Sequence, residues 1–472
     1  MFNKDMTRGA VNSASCAPVG VAGTTGEEVA PVQAARPAIP FRMPLGEWFD
    51  EDFDFKGAEG DAFTEALLVR IAEVEERIRK RKAVDEESHR LLVRKLAVNG
   101  YRAFRWFKPP RLSVRLGPKA YNGRGGPWLN GEAMGREIDF MARAGLVEIS
   151  GGVWGEASTT LRFTEAFVIE AMNAKLSDGN VIHRLDADRT VRVYRTNSED
   201  GEFVDFEHDD QSRNWIAQLD AYNAFLAEQK IGIELSKAET TKFVARQNGY
   251  RQAGTPRLKQ PDLTNKSLFR QFNYGGFEAG GRLYGAWWVN CPSDLRPLIT
   301  INGEATVELD FSGCSIRMLY HRNNKPFEGD VYGLEAVDAF VQAKGLPPKR
   351  FRPGIKRLAQ VLFNSDRNVR PEEMKLKGDE RVRPWFTEAR VVAMLREKHA
   401  PIAHEFQSEA WKWTQRQDSE IALTVISNLM EKGIVALSIH DSFIVIDGEE
   451  DLLIEEMNNC YLDKFSFLPE ID

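Results

Sequence analysis

The stretch Val307-Glu308-Leu309-Asp310-Phe311-Ser312-Gly313-Cys314-Ser315-Ile316-Arg317-Met318-Leu319-Tyr320 opens with apolar residues at alternate positions, Val307, Leu309 and Phe311. That alternation predicts a strand with one buried face that delivers Asp310 to its end. The residues after Gly313 predict a helical segment carrying Arg317. A carboxylate at a strand end either caps the next helix or holds a divalent metal against phosphate oxygens. Which applies depends on the groups that the rest of the chain supplies.

The chain has 472 residues, enough for about two to four domains. Hydrophobic content of 42% and charged content of 28% suit a soluble globular protein without a membrane span. Cys16, Cys291, Cys314 and Cys460 show no metal-ligand spacing and are expected to be free thiols in a reducing, cytoplasmic compartment. The net charge of −7 does not advertise nucleic-acid binding, so local charge distribution matters more than the sum.

Taken in order, residues 1–45 lack periodicity and read as a disordered arm. Helices are expected over 62–82 and over 85–98, the second ended by Asn99-Gly100. From Gly100 to Gly131 there is no Asp or Glu, while Arg105, Arg115, Lys119 and Arg124 alternate with Tyr101, Trp106 and Tyr121. Interleaved basic and aromatic groups suit a phosphate backbone and exposed bases; a solvated basic loop is the plainer alternative. A helix over 130–144, a short strand, Gly151-Gly152 and a second extended piece follow. This segment resembles a winged helix over about residues 85–165, which implies DNA contacts from Arg136, Arg143 and the Gly151-Gly152 wing. Residues 212–228 read as an amphipathic core helix, and 237–270 as a basic polar loop approaching the active centre. The expected division is an arm (1–45), a helical and winged-helix-like DNA-binding region (46–168), a connecting, thumb-like region (169–270) and a catalytic domain (271–472).

Five motifs occupy that last region: Gly281-Arg282-Leu283-Tyr284, the Asp310 strand, Gly329-Asp330-Val331-Tyr332, the helix from Arg352 to Asn364, and Ile439-His440-Asp441-Ser442-Phe443. On the helix, Arg352, Lys356 and Gln360 repeat at i, i+4 and i+8, away from an apolar face of Ile355, Leu358 and Leu362. Two cations one turn apart can grip a triphosphate, although a solvated basic face is the favoured explanation of the stripe when it stands alone. Apolar runs on both sides of His440-Asp441 predict a buried hairpin, where a carboxylate is costly unless a metal or cation pairs with it.

Asp310-Phe311-Ser312 with Arg317, Arg352 with Lys356, and Ile439-His440-Asp441-Ser442 resemble motifs A, B and C of family A DNA polymerases and bacteriophage-type single-subunit RNA polymerases. Gly281-Arg282-Leu283 resembles the segment upstream of motif A. The similarity spans about residues 275–450. It implies an α+β right-hand palm with an antiparallel sheet and reduced helical fingers. Asp310, Asp441 and the Phe311 carbonyl would hold two Mg²⁺ ions, with Mn²⁺ as an alternative. Arg352 and Lys356 would bind the nucleoside triphosphate, with Ser315, Gln360 and Asn364 around it. His440 would approach the primer terminus. Arg282, Tyr284, Arg317, Arg105 and Trp106 would contact a DNA template and primer, or RNA.

Two positions depart from that pattern. Ser315 stands where the DNA polymerases place a Glu that excludes the ribose 2′-hydroxyl, which implies tolerance of ribonucleotides. Asn364 stands where both branches place a Tyr. The expectation is therefore a ribonucleotide-tolerant nucleotidyltransferase, a primase-polymerase or small RNA polymerase of a mobile element. A family A-like DNA polymerase is the nearest alternative, and a DNA-binding replication initiator with a degenerate palm is the alternative of another class.

Overall fold

The computed structural model describes residues 46–76, 79–117, 120–121, 128–150, 159–196, 204–251, 255–365, 369–374 and 376–472. Helices and small sheets mix throughout, as an α+β chain requires. No helix among the described residues is long and apolar enough to cross a membrane.

The N-terminal module runs β1 (Glu47–Trp48), β2 (Phe53–Phe55), α1 (Ala58–Val74), α2 (Ala83–Trp106), β3 (Phe107–Lys108), β4 (Arg111–Val114), α3 (Gly131–Arg143), β5 (Val147–Ser150), β6 (Thr159–Phe163), α4 (Glu165–Asn173) and β7 (Val181–His183). Its four-stranded sheet has the order β1-β4-β6-β5, and β2 pairs separately with β7. Phe63, Leu67, Leu96, Met134, Leu161 and Phe167 fill one core between helices and sheet. Helix α2 does not stop at Asn99-Gly100 but continues through Trp106. The reason is tertiary. A Cβ on Gly100 would lie 2.2 Å from the Phe163 ring, so this glycine serves a close helix–sheet contact rather than a helix end. Asn99 meanwhile clasps the backbone of Asp50 through both side-chain atoms (3.0 and 2.8 Å).

The next segment holds β8 (Val191–Val193), α5 (Asp210–Glu228), β9 (Ile231–Ile233), α6 (Lys237–Gly249), β10 (Arg257–Leu258), β11 (Phe269–Asn273) and β12 (Ala279–Tyr284). About half of the stretch expected as loop, 237–270, is thus regular. Helix α6 starts at a capping box in which Ser236 and Glu239 bond each other's backbone N–H. It buries only Phe243 fully, which is why no apolar stripe announced it. Residues 169–270 feed two cores rather than building one: Val181 and Leu258 join the N-terminal core, while Trp215, Leu219, Tyr222 and Leu268 join the next.

The last segment holds β13 (Ile299–Ile301), β14 (Glu304–Asp310), α7 (Cys314–Arg322), α8 (Glu335–Ala343), α9 (Arg352–Asn364), α10 (Glu388–Lys398), α11 (Ala410–Glu431), β15 (Leu437–Ile439), β16 (Ser442–Ile446) and α12 (Glu450–Phe465). Five strands form an antiparallel sheet ordered β15-β16-β14-β13-β9. Helices α5, α7, α11 and α12 contribute to the core that this sheet shares. A third core gathers Tyr320, Val337, Ile355, Leu358, Leu362 and Leu395 from helices α7 to α10. Helix α9 therefore packs with its helical neighbours in a core separate from the sheet's, with Lys356 on its polar stripe acting on Asp310.

Candidate functional site

Asp310 closes β14 opposite Ser442, the first residue of β16, and His440-Asp441 form the turn that enters β16. The Phe311 N–H donates to the Asp441 carbonyl at 3.2 Å. Two carboxylate-bearing residues thus leave adjacent strand ends together. Burial raises the Asp310 carboxyl well above the carboxylate range; Asp441 adds to the rise, Lys356 opposes it, and Glu308 and Asp472 contribute further. Among the described residues no lysine or arginine forms an ion pair with Asp310 or Asp441. The backbone of Asp472 pairs with that of Asp310 in both directions (3.0 and 3.1 Å) and covers the end of the strand.

Helix α9 supplies the cations. Pro353 occupies its first turn, where a missing N–H costs nothing. Ile355, Leu358, Ala359 and Leu362 are buried, which turns Arg352 and Lys356 outward. Arg352 pairs with Asp330 at 3.1 Å. The Tyr332 ring lies 5.2 Å from the Arg352 guanidinium and 5.8 Å from the Lys356 ammonium. Burial and then the charge of Asp441 raise the Tyr332 phenol, so it stays protonated as a hydrogen-bond donor. Tyr332 therefore lies beside both cations and within the field of Asp441. Its tetrapeptide stood out in the sequence, but its place at the centre did not.

Beneath the hairpin, β12 packs on α11. Gly281 has φ +91°, and a Cβ there would sit 2.8 Å from the Ser419 hydroxyl and 2.7 Å from the Phe272 ring. Only glycine lets the strand approach this closely. The approach carries Arg282 onto Asp418, whose carboxylate accepts from Nε at 3.0 Å and also from a terminal nitrogen. Burial works against the Arg282 charge, and Asp418 more than offsets it, so the guanidinium stays charged. Tyr284 meets His440 edge-on at 5.5 Å. His440 adopts the left-handed conformation, φ 62°, which histidine tolerates better than most residues. Its Nδ1 is buried without a partner, and burial with Arg282 nearby keeps the imidazole neutral.

Ser315 lies on the first turn of α7, half-buried, while Gln360 and Asn364 are half-buried on α9. Phe311 is buried, and its carbonyl accepts from Cys314 N at 3.3 Å. Arg317 is occupied elsewhere: it is 5% exposed and donates to the carbonyls of Ser312, Phe327 and Gly329, each at 2.8 Å, and pairs with Glu470. It ties a loop together and presents no free donor face. Arg270, read as part of a phosphate-lined loop, is wholly buried among Gly281 O, Glu420 and Ser419.

In the N-terminal module, Trp106 packs in the core with its indole N–H on Pro261 O at 3.1 Å, so it offers no ring to bases. Arg105 makes two 2.7 Å bonds to Asp178, Arg136 reaches Glu137 at 3.3 Å, and Arg143 reaches Asp139 at 3.0 Å. Lys119, Arg124 and the Gly151-Gly152 wing lie outside the described residues.

Asp418 escaped the sequence reading. One signal for it existed: it falls at i−3, i−4 and i−7 from the buried Ile421, Ala422 and Val425, a carboxylate on an apolar helix stripe. No protein-family profile matches the chain, and no curated protein matches it significantly.

Proposed function

We propose that the chain is a template-directed nucleotidyltransferase, with the five-stranded sheet as its palm, helices α8 to α10 as short fingers and the N-terminal module as a winged-helix-like DNA-binding region. One observation carries the reading: Asp310 and Asp441 leave adjacent strand ends with no ion pair to either among the described residues, and Lys356 of α9 acts on Asp310. Two carboxylates and a nearby backbone carbonyl make a hard oxygen set suited to Mg²⁺. Asp310, Asp441 and the Phe311 carbonyl would hold the ions, which supply activation of the attacking 3′-hydroxyl and screening of the departing pyrophosphate.

The remaining roles belong to the chain's own groups. Lys356 and Arg352 neutralise the triphosphate, with Tyr332 fixing their positions. Neutral His440 and Tyr284 form a platform for the primer-terminal nucleotide, and Arg282, locked by Asp418, holds that platform in register. The half-buried Ser315 hydroxyl leaves room beside the sugar, so both ribo- and deoxyribonucleotides are accepted.

The test is incorporation of labelled NTPs and dNTPs on primed and unprimed single-stranded templates. Mg²⁺-dependent synthesis that disappears in Asp441→Asn is expected. Synthesis that survives this change, or its absence from the wild-type chain under all these conditions alongside tight duplex binding, would replace the reading with that of a non-catalytic DNA-binding protein.

A further inference from the structure

A cavity of about 560 Å³ lies where the N-terminal module meets β8 and β11, lined in part by Asp50, Asp52, His183, Arg102, Arg192 and Phe269. Its charges mostly cancel in pairs. Arg251 meets Glu47, Arg102 meets Asp262 at 2.9 Å, and Arg189 meets Glu51 and one oxygen of Asp52 at 3.0 and 2.5 Å. Three groups keep spare capacity, with Asp50 and His183 only loosely paired to each other. Asp50 has no arginine or lysine partner among the described residues, and its Oδ1 accepts only the Asp52 N–H at 2.9 Å. Asp52 keeps its second oxygen. The His183 side chain is 8% exposed, its Nδ1 has no partner, and its Nε2 stands 3.7 Å from Asp50 Oδ2, beyond hydrogen-bond reach.

A buried imidazole nitrogen without a hydrogen-bond partner is expensive. The 3.7 Å gap has a simple use, since two ligands each about 2.1 Å from one ion are spaced by roughly 3.5 Å. One donor atom from each of Asp50, Asp52 and His183 lies within 4.8 Å of the others. The frame is prebuilt: Asn99 clasps Asp50, the Asp52 carbonyl accepts from Arg184 N at 2.8 Å, and His183 is paired in register with Phe53.

We propose that Asp50, Asp52 and His183 bind one divalent transition-metal ion of the Zn²⁺ or Mn²⁺ class, with its remaining positions open to the cavity. Imidazole beside two carboxylates favours such ions over Mg²⁺ or Ca²⁺. Arg192, stacked 3.6 Å over the Phe269 ring, donates Nε to the Arg189 carbonyl at 3.1 Å and also bonds Tyr194; it has no carboxylate partner among the described residues, and its positive charge would favour an anion that completes the coordination. The site shares no residue with the Asp310–Asp441 pair and does not depend on the polymerase reading.

The test uses the full chain, stripped of metal and dialysed against Zn²⁺ or Mn²⁺ alone, then against Co²⁺ for its visible absorption. One ion per chain is expected to persist in the Asp310→Asn/Asp441→Asn double variant and to be lost in His183→Gln, together with the Co²⁺ bands. Equal metal retention in folded His183→Gln, or no uptake by the wild-type chain above a buffer control, overturns the proposal. Should His183→Gln fail to fold, pulsed EPR of the Cu²⁺-loaded wild-type chain decides: coupling to an imidazole nitrogen supports the site, and its absence rejects it.

Discussion

The two ends of the molecule treat charge in opposite ways. In the N-terminal module, basic residues that look like a nucleic-acid surface are answered by carboxylates from elsewhere: Arg105 by Asp178 and Arg102 by Asp262. At the end of β14, Asp310 and Asp441 lie together with no ion pair to either among the described residues; Lys356 acts on Asp310 and Arg282 on Asp441 only through the field. Compensated charges hold a fold together. Uncompensated ones mark where something else is meant to bind.

The largest effect that could break this contrast is catalytic. On the proposed reading, Asp310→Asn should lower nucleotide incorporation by roughly 10³-fold or more, since one of the two carboxylates that would hold the metal is removed. Its fold should survive, because the group it removes is unpaired. Unchanged far-UV circular dichroism alongside lost synthesis is the expected pair of results.

A second effect concerns stability. Arg282→Ala strands the buried Asp418 carboxylate and should cost about 3–5 kcal/mol in urea unfolding. Replacing both partners by Arg282→Met with Asp418→Leu should recover most of that loss. If the single change is silent, the pair does not position the platform described above.

A third, smaller effect is pH-dependent. In the folded chain burial, and then Asp441, raise the Asp310 carboxyl, so the folded state holds its proton at pH values where the unfolded state has released it. The stability this group contributes is therefore complete in acid, below the ordinary carboxylate range, and is lost as pH rises towards and past neutrality. Because Asp310 opens to solvent, screening keeps the effect modest. Thermal melts of metal-free protein across that range should slope downward for the wild-type chain and be flatter for Asp310→Asn, and Mg²⁺ should flatten the wild-type curve.

The smallest effect lies in the module with paired charges. Arg105→Ala breaks a pair in which both side chains are more than a third exposed, and should cost less than about 1 kcal/mol. A loss comparable to that of Arg282→Ala would erase the distinction between the two regions.

Much of the site's scaffold was legible locally. The β14 strand, the β15–β16 hairpin and α9 each carry a period that a short window reveals: alternation at Val307, Leu309 and Phe311, apolar runs flanking His440-Asp441, and the i, i+4 stripe of Arg352 and Lys356. What stayed hidden depends on distant partners. Gly100 reads as a helix stop until Phe163 arrives to fill the space above it. Trp106 and Arg105 read as a nucleic-acid face because Pro261 and Asp178 are far along the chain. Helix α6 is polar on nearly every side and fully buries only Phe243. Arg317 looked like a substrate contact because the carbonyls that absorb it belong to a loop with no pattern of its own.

The account turns on whether Asp310 and Asp441 share divalent ions. Crystals grown with a non-hydrolysable nucleoside triphosphate and Mn²⁺ would answer this by anomalous scattering. Two peaks about 3.5–4 Å apart, between the two carboxylates and the triphosphate held by Lys356 and Arg352, are predicted. A triphosphate bound elsewhere, or Mn²⁺ absent from the Asp310–Asp441 cleft while other sites fill, would contradict it.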